Sequence, residues 1–254
     1  MGTLVRLPTR PPGPLPGAAA DVTLWLDCRR TLPEAVARSR AEAAQTVRDV
    51  LPPAAEGAPA GHLTANGTVV AGPVHGPAEF RRLLRGLLSE ASAAPAPAPG
   101  PQGRPVAVAV EYSIPAVDAL VNAGLDRIGG CEAKAMRFRA GVAGAHLLYD
   151  MLRRELRSPG WAHASARGIP APYLLWSTAP CAGPDRGAEY AEQCLFPGTA
   201  VALTPAALRT FVERRAVTGP TALDLVEARR VVGILDWFGI RLDTLVGAQA
   251  PTTG

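Results

Sequence analysis

Residues 170–205 read PAPYLLWSTAPCAGPDRGAEYAEQCLFPGTAVALTP, and two short apolar runs in this stretch, Tyr173–Thr178 and Thr199–Leu203, decide the fold. Each is four to eight residues long and closed by Pro or Gly, the signature of a strand buried on both faces. A helical pattern precedes the first run and another follows the second. That β-then-α alternation argues for a parallel sheet, open or closed into a barrel.

The same alternation extends outward in both directions. Upstream, Val22–Asp27, Thr68–Ala71 and Val106–Tyr112 read as strands, and a further one is expected near Val47–Leu51 although Pro52 and Pro53 weaken its pattern. Thr31-Leu32-Pro33-Glu34 has the form of a capping box opening a helix over about 33–47. Phe80, Leu83, Leu84, Leu87 and Leu88 form one apolar stripe on a helix begun by Pro77. A short helix is expected over 118–124 and one long helix over 132–156, with Gly141 and Gly144 spaced for close packing against a sheet. Thr204-Pro205 starts the helix carrying Leu208 and Phe211, and Leu225, Ala228, Val231, Leu235 and Phe238 mark a last helix over 222–238. The Pro-rich residues 1–20 read as a disordered leader, 93–103 (AAPAPAPGPQG) as a linker within one domain over 21–247, and 248–254 as a tail.

Composition narrows the function classes. At 48% hydrophobic and 19% charged residues, the 254-residue chain can bury one large core. Its net charge of +4 comes from scattered arginine pairs such as Arg81-Arg82 and Arg229-Arg230, without the interleaved aromatics of a nucleic-acid binder. Cys28, Cys131, Cys181 and Cys194 lie too far apart for a metal knuckle, and His62, His75, His146 and His163 have no ligand spacing. The expectation is a cytoplasmic protein with reduced thiols, no metal knuckle and no membrane span.

Beyond the pattern, the residues resemble a known family. Leu175-Trp176-Ser177-Thr178, a polar loop with Tyr190, then Pro197-Gly198-Thr199 with Leu208 and Phe211, resemble the last two strands of actinobacterial-type transaldolases, PLWASTG, YVDEL and PDTVNTMPEATL. RFRAGVAGAHLLYD at 137–150 is similar to the family's RGKAAVANARLAYE, VTLWLDCRRTLPEAVARSRAEA at 22–43 to its third strand and helix, and EGAPAGHL at 56–63 to the EGLPAI after its fourth. The resemblance implies an incomplete TIM-type (β/α)8 barrel of the α/β class, with about six strands matching the family's strands three to eight. On this alignment the first two strands have no counterpart.

The resemblance also implies a chemistry: transfer of a dihydroxyacetone unit between sugar phosphates of the pentose phosphate pathway through a Schiff-base lysine, with neither metal nor cofactor. The family's lysine falls near Val50, its third-strand glutamate on Trp25, and the serine and arginine that grip phosphate on Glu111 and Ala116. Lys134 is the chain's one lysine and sits at a helix start, where solvent exposure at an ordinary pKa is expected. The expectation is therefore a transferase by family that has lost the parent reaction, a pseudoenzyme of carbohydrate metabolism, with two alternatives open: a changed activity from Glu111 or Lys134, or a non-catalytic homologue binding a metabolite or protein partner.

The candidate catalytic groups are Glu111, Lys134 and Asp27, and the candidate substrate-binding residues are Trp25, Tyr112, Ser177 and Thr178. Each has a plainer reading. Glu111 can be a rim carboxylate held by an arginine, Asp27 can hold the loop after its strand, and Ser177 and Thr178 can cap theirs. The ligand expected is a small carbonyl compound or sugar. Missing strands would leave an open barrel edge, so self-association or a covering protein partner is expected.

Overall fold

The computed structural model describes residues 22–52, 62–64, 66–93, 106–214 and 220–245. In them the order is β1 (Thr23–Asp27), α1 (Pro33–Ala43), β2 (Asp49–Leu51), β3 (His62–Leu63), β4 (Val69–Val74), α2 (Pro77–Ala93), β5 (Val108–Ser113), α3 (Ile114–Ile128), α4 (Gly130–Ala135), α5 (Ala140–Glu155), α6 (Pro159–Ala166), β6 (Tyr173–Ser177), α7 (Pro184–Glu192), β7 (Ala200–Leu203), α8 (Pro205–Arg214) and α9 (Leu225–Trp237). The leader 1–20, the tail 248–254 and nearly all of the 93–103 linker lie outside the described residues.

The strands form one sheet in the order β2-β1-β7-β6-β5-β4-β3. Every pairing is parallel except β3 on β4. Six parallel strands with helices around them make an incomplete, curled α/β barrel of the TIM type, as expected. The inner faces of all six parallel strands contribute to one cluster of Trp25, Leu51, Val70, Ala109, Leu175, Ala200 and Ala202, which is the interior of the curl. The alternate residues, among them Leu26, Val110, Tyr112, Leu174, Trp176, Val201 and Leu203, face outward into the larger core shared with the helices.

Among the described residues no strand separates β1 from β7, where the alignment puts the family's first two. β1 pairs directly with β7, Leu24 opposite Val201 and Leu26 opposite Leu203. The sheet instead ends at β2 and β3, and side chains join these ends. The Asp49 carboxylate accepts hydrogen bonds from Val50 N (2.8 Å), Thr64 Oγ1 (2.5 Å) and Asn66 N (3.3 Å), and Asn66 Nδ2 donates to the Arg48 carbonyl at 2.7 Å. An edge whose polar groups are bonded by the chain's own side chains is a poor template for another strand.

Several local expectations are corrected. The long helix over 132–156 is two, α4 and α5, because Phe138 adopts a left-handed backbone (φ 60°) between them. The short helix expected over 118–124 runs the full length of α3. α1 is capped at Leu32 with no side-chain hydrogen bond, so the capping box does not form. α6, α7 and β3 were not evident in the sequence; α7 occupies the stretch read as a polar loop.

The two glycines of α5 pack as expected. A Cβ on Gly141 would lie 2.5 Å from the Ile114 carbonyl oxygen, and one on Gly144 would collide with the Tyr112 hydroxyl. Gly144→Ala should therefore lower stability in urea by about 1–3 kcal/mol through overpacking. Gly86→Ala, on α2 with open space around it, should be neutral or stabilising by up to about 1 kcal/mol.

Candidate functional site

Barrel chemistry collects at the C-terminal ends of the strands, where the loops converge. Asp27 is the last residue of β1, Ser177 the last of β6, and Glu111 lies on β5, which pairs with β6 on the side away from β7, in register with Leu175. All three are buried. They are brought together by Arg29, two residues beyond β1, which sequence reasoning did not select.

Arg29 makes a bidentate pair with Asp27, Nε to Oδ1 at 3.0 Å and Nη2 to Oδ2 at 2.8 Å. Its Nη2 also donates to Ser177 Oγ at 2.7 Å, and its Nη1 lies 2.7 Å from Glu111 Oε1. The Arg29 amide donates to Asp27 Oδ1 at 3.1 Å, so Asp27 does hold the loop after its strand. Burial pulls the guanidinium's pKa down, but the hydrogen bond to Asp27 and the charge of Glu111 outweigh it and raise it above its ordinary value. Planar two-point contact with a carboxylate is a geometry that arginine makes and lysine does not.

The other candidates lie elsewhere. Trp25 is buried inside the barrel, edge-on to Tyr173 with ring centroids 6.2 Å apart. Tyr173 is pushed up to about 12, chiefly by burial, with Asp49 adding to the shift and a Thr68 hydrogen bond opposing it. Tyr112 points away from the interior, its hydroxyl donating to the Gly141 carbonyl at 3.1 Å, which removes it from any ligand site in the mouth. Thr178 Oγ1 donates to the Ala202 carbonyl at 2.8 Å and so ties its loop to β7. Lys134 is exposed on α4, outside the barrel. The inward position closest to Val50 at the C-terminal end of β2 is Leu51, fully buried in the interior cluster.

A second polar cluster sits behind the sheet. Buried Asp118 accepts from Gly141 N at 2.8 Å and from the Tyr190 hydroxyl at 2.6 Å, fastening the first turn of α5 to α3 and α7. Burial raises the Asp118 pKa and, with the charge of Asp118, that of Tyr190. His146 Nδ1 accepts from Asp224 N at 3.0 Å, a satisfied structural histidine. Among the described residues no group of His, Cys, Asp and Glu could hold a metal ion, and no helix is long and apolar enough to cross a membrane.

No family model matches the chain. Over 143 residues, 56% of this chain, it is 28% identical to the transaldolase of Frankia alni and, over the same length, 28% identical to that of Parafrankia sp.. Over 69 residues it is 36% identical to the transaldolase of Thiobacillus denitrificans. The matches span 38%, 39% and 19% of those three proteins. The chain is thus a relative of the transaldolases, matched over less than half of their length, in agreement with the resemblance in its motifs.

Two measurements probe these clusters. Arg29→Met strands two buried carboxylates and should cost about 3–5 kcal/mol in denaturant unfolding, with Glu111→Gln in the same chain recovering part of the loss. For His146, burial lowers the folded-state pKa against the opposing charge of Asp224. As pH falls through about 6.5, the unfolded chain therefore takes up a proton that the folded site refuses. This contribution to stability is complete above that pH and lost below it. The thermal midpoint should fall with acidification over this range, and less steeply in His146→Gln.

Proposed function

We propose that this protein is a transaldolase-like protein of sugar-phosphate metabolism, cytoplasmic, in which the parent Schiff-base transfer has been lost. The observation that carries the reading is the occupation of the barrel mouth by the chain's own ion-paired guanidinium. Arg29 spans Asp27, Glu111 and Ser177, the groups that would otherwise face a ligand. The inward residue beside the family's lysine position is Leu51, and an alkyl side chain cannot condense with a ketone. Lys134 stands in solvent on α4, outside the barrel mouth where Asp27, Glu111 and Ser177 meet.

Charge supports the same reading. Two carboxylates against one guanidinium leave the mouth with a negative surplus, which disfavours a phosphate dianion. A non-catalytic homologue that holds an uncharged small carbonyl compound or sugar is the second reading favoured by that surplus. Cover by a protein partner draws less support, since the sheet end at β2 is already bonded by Asp49 and Asn66.

Borohydride treatment of the folded chain with fructose 6-phosphate or with dihydroxyacetone, read by intact mass, tests the proposal. No adduct is expected at Lys134, and no three-carbon transfer to an aldose phosphate. An adduct abolished by Lys134→Ala would overturn it.

A further inference from the structure

α9 buries one face and leaves the opposite face bare. Ala228, Val231 and Leu235 are buried, whereas Val226 is 82% and Trp237 79% exposed. At 3.6 residues per turn, Val226, Gly233 and Trp237 fall on a single stripe directly opposite the buried one. A Cβ on Gly233 would meet nothing within 4 Å. Arg229 and Asp236 are exposed together on one flank of that stripe, and neither side chain has an ion-pair partner among the described residues. Arg230, on the other flank, is held by Glu227 through two 2.7 Å hydrogen bonds.

We propose that this face is the contact surface of a homodimer, with α9 packing antiparallel on α9 of a second copy about a twofold axis between residues 231 and 232. The stripe is complementary to itself under that operation. Val226 and Trp237 are eleven residues apart in the sequence. They are equidistant from the axis and about 16 Å from each other along the helix. Each Trp237 therefore lies on Val226 of the other copy.

The same rotation sets the Arg230 stem over Gly233, where a missing side chain allows close approach. It also keeps each flank facing its own equivalent. Arg229 then comes within one turn of Asp236 of the second copy, and the pair is made twice, as an isologous contact requires. A parallel arrangement would instead set that flank against the other, placing Arg229 beside Arg230 of the second copy and leaving Asp236 with no cation opposite it. Charge thus selects a second copy in antiparallel orientation, and tryptophan is the residue most often found at the energetic centre of an interface. Two helices of this length bury less than about 1,000 Å², so the dimer is reversible and depends on concentration.

Sedimentation or light scattering over a dilution series tests this. The expected result is a monomer–dimer equilibrium weakened at least tenfold by Trp237→Glu. Arg229→Asp and Asp236→Arg should each be monomeric alone and should associate when mixed in equal amounts, because only the mixture restores opposite charges across the axis. All three positions are exposed, and circular dichroism checks that each variant is folded. A monomer at every concentration overturns the proposal, including one in which the chain's own terminal residues cover Trp237. A dimer insensitive to Trp237→Glu, or a mixture of the two charge variants that stays monomeric, overturns it as well.

Discussion

The parallel ladder between β1 and β7 is the constraint from which the remaining architecture follows. It joins the first strand of the sheet to the last in sequence, with Thr23 opposite Ala200 and Trp25 opposite Ala202. Contacts so distant in sequence carry a large loop-closure cost and are stable only when apolar burial on both faces offsets it. Here both faces are covered. Leu24, Leu26, Val201 and Leu203 pack outward under the helices, and Trp25, Ala200 and Ala202 pack inward. Without this ladder β1 and β2 would have no sheet to join, and Arg29 would not reach Glu111 or Ser177.

The ionic cluster at the mouth depends on that ladder and in turn fixes the loop after β1. Its bonds run from Arg29 to groups on β1, β5 and β6, so they restrain the curvature of the sheet as well as its end. A buried ion pair adds little net stability compared with an apolar packing of the same volume, yet it is costly to break from one side. It therefore specifies geometry more than it strengthens the fold. On the far side of the sheet, Asp118 plays a comparable part, holding the backbone of α5 close enough for Gly141 and Gly144 to lie against Ile114 and Tyr112.

Most of the sheet was legible in the sequence because a strand buried on both faces is a dense apolar run between Pro and Gly, and six such runs correspond to the six parallel strands. Even β2 could be found, since Asp49-Val50-Leu51 keeps its ladder with β1 ahead of the two prolines. The helices were less legible. The break at Phe138 has no Gly or Pro to announce it, and α7 was obscured by Gly187, whose presence reflects the approach of Ala207 to its Cα. Of the site, the carboxylates and Ser177 could be selected from their places at strand ends. Arg29 could not: one arginine among many, it is defined by partners up to 148 residues away. Tyr112 was misplaced because the strand end leaves the facing of one residue undetermined, and a one-residue change of phase exchanges the inside for the outside.

A sheet of six parallel strands curls more tightly than one of eight, and its lumen is correspondingly narrow. The interior cluster shows how that space is filled: three alanines, one valine and two leucines around a single indole. Such an interior leaves little room for a longer side chain. A longer side chain at Leu51 would have to enter the packed cluster it shares with Trp25, and making room would require several substitutions at once. A lumen packed this closely confines tolerated substitution to the outer surfaces of the helices.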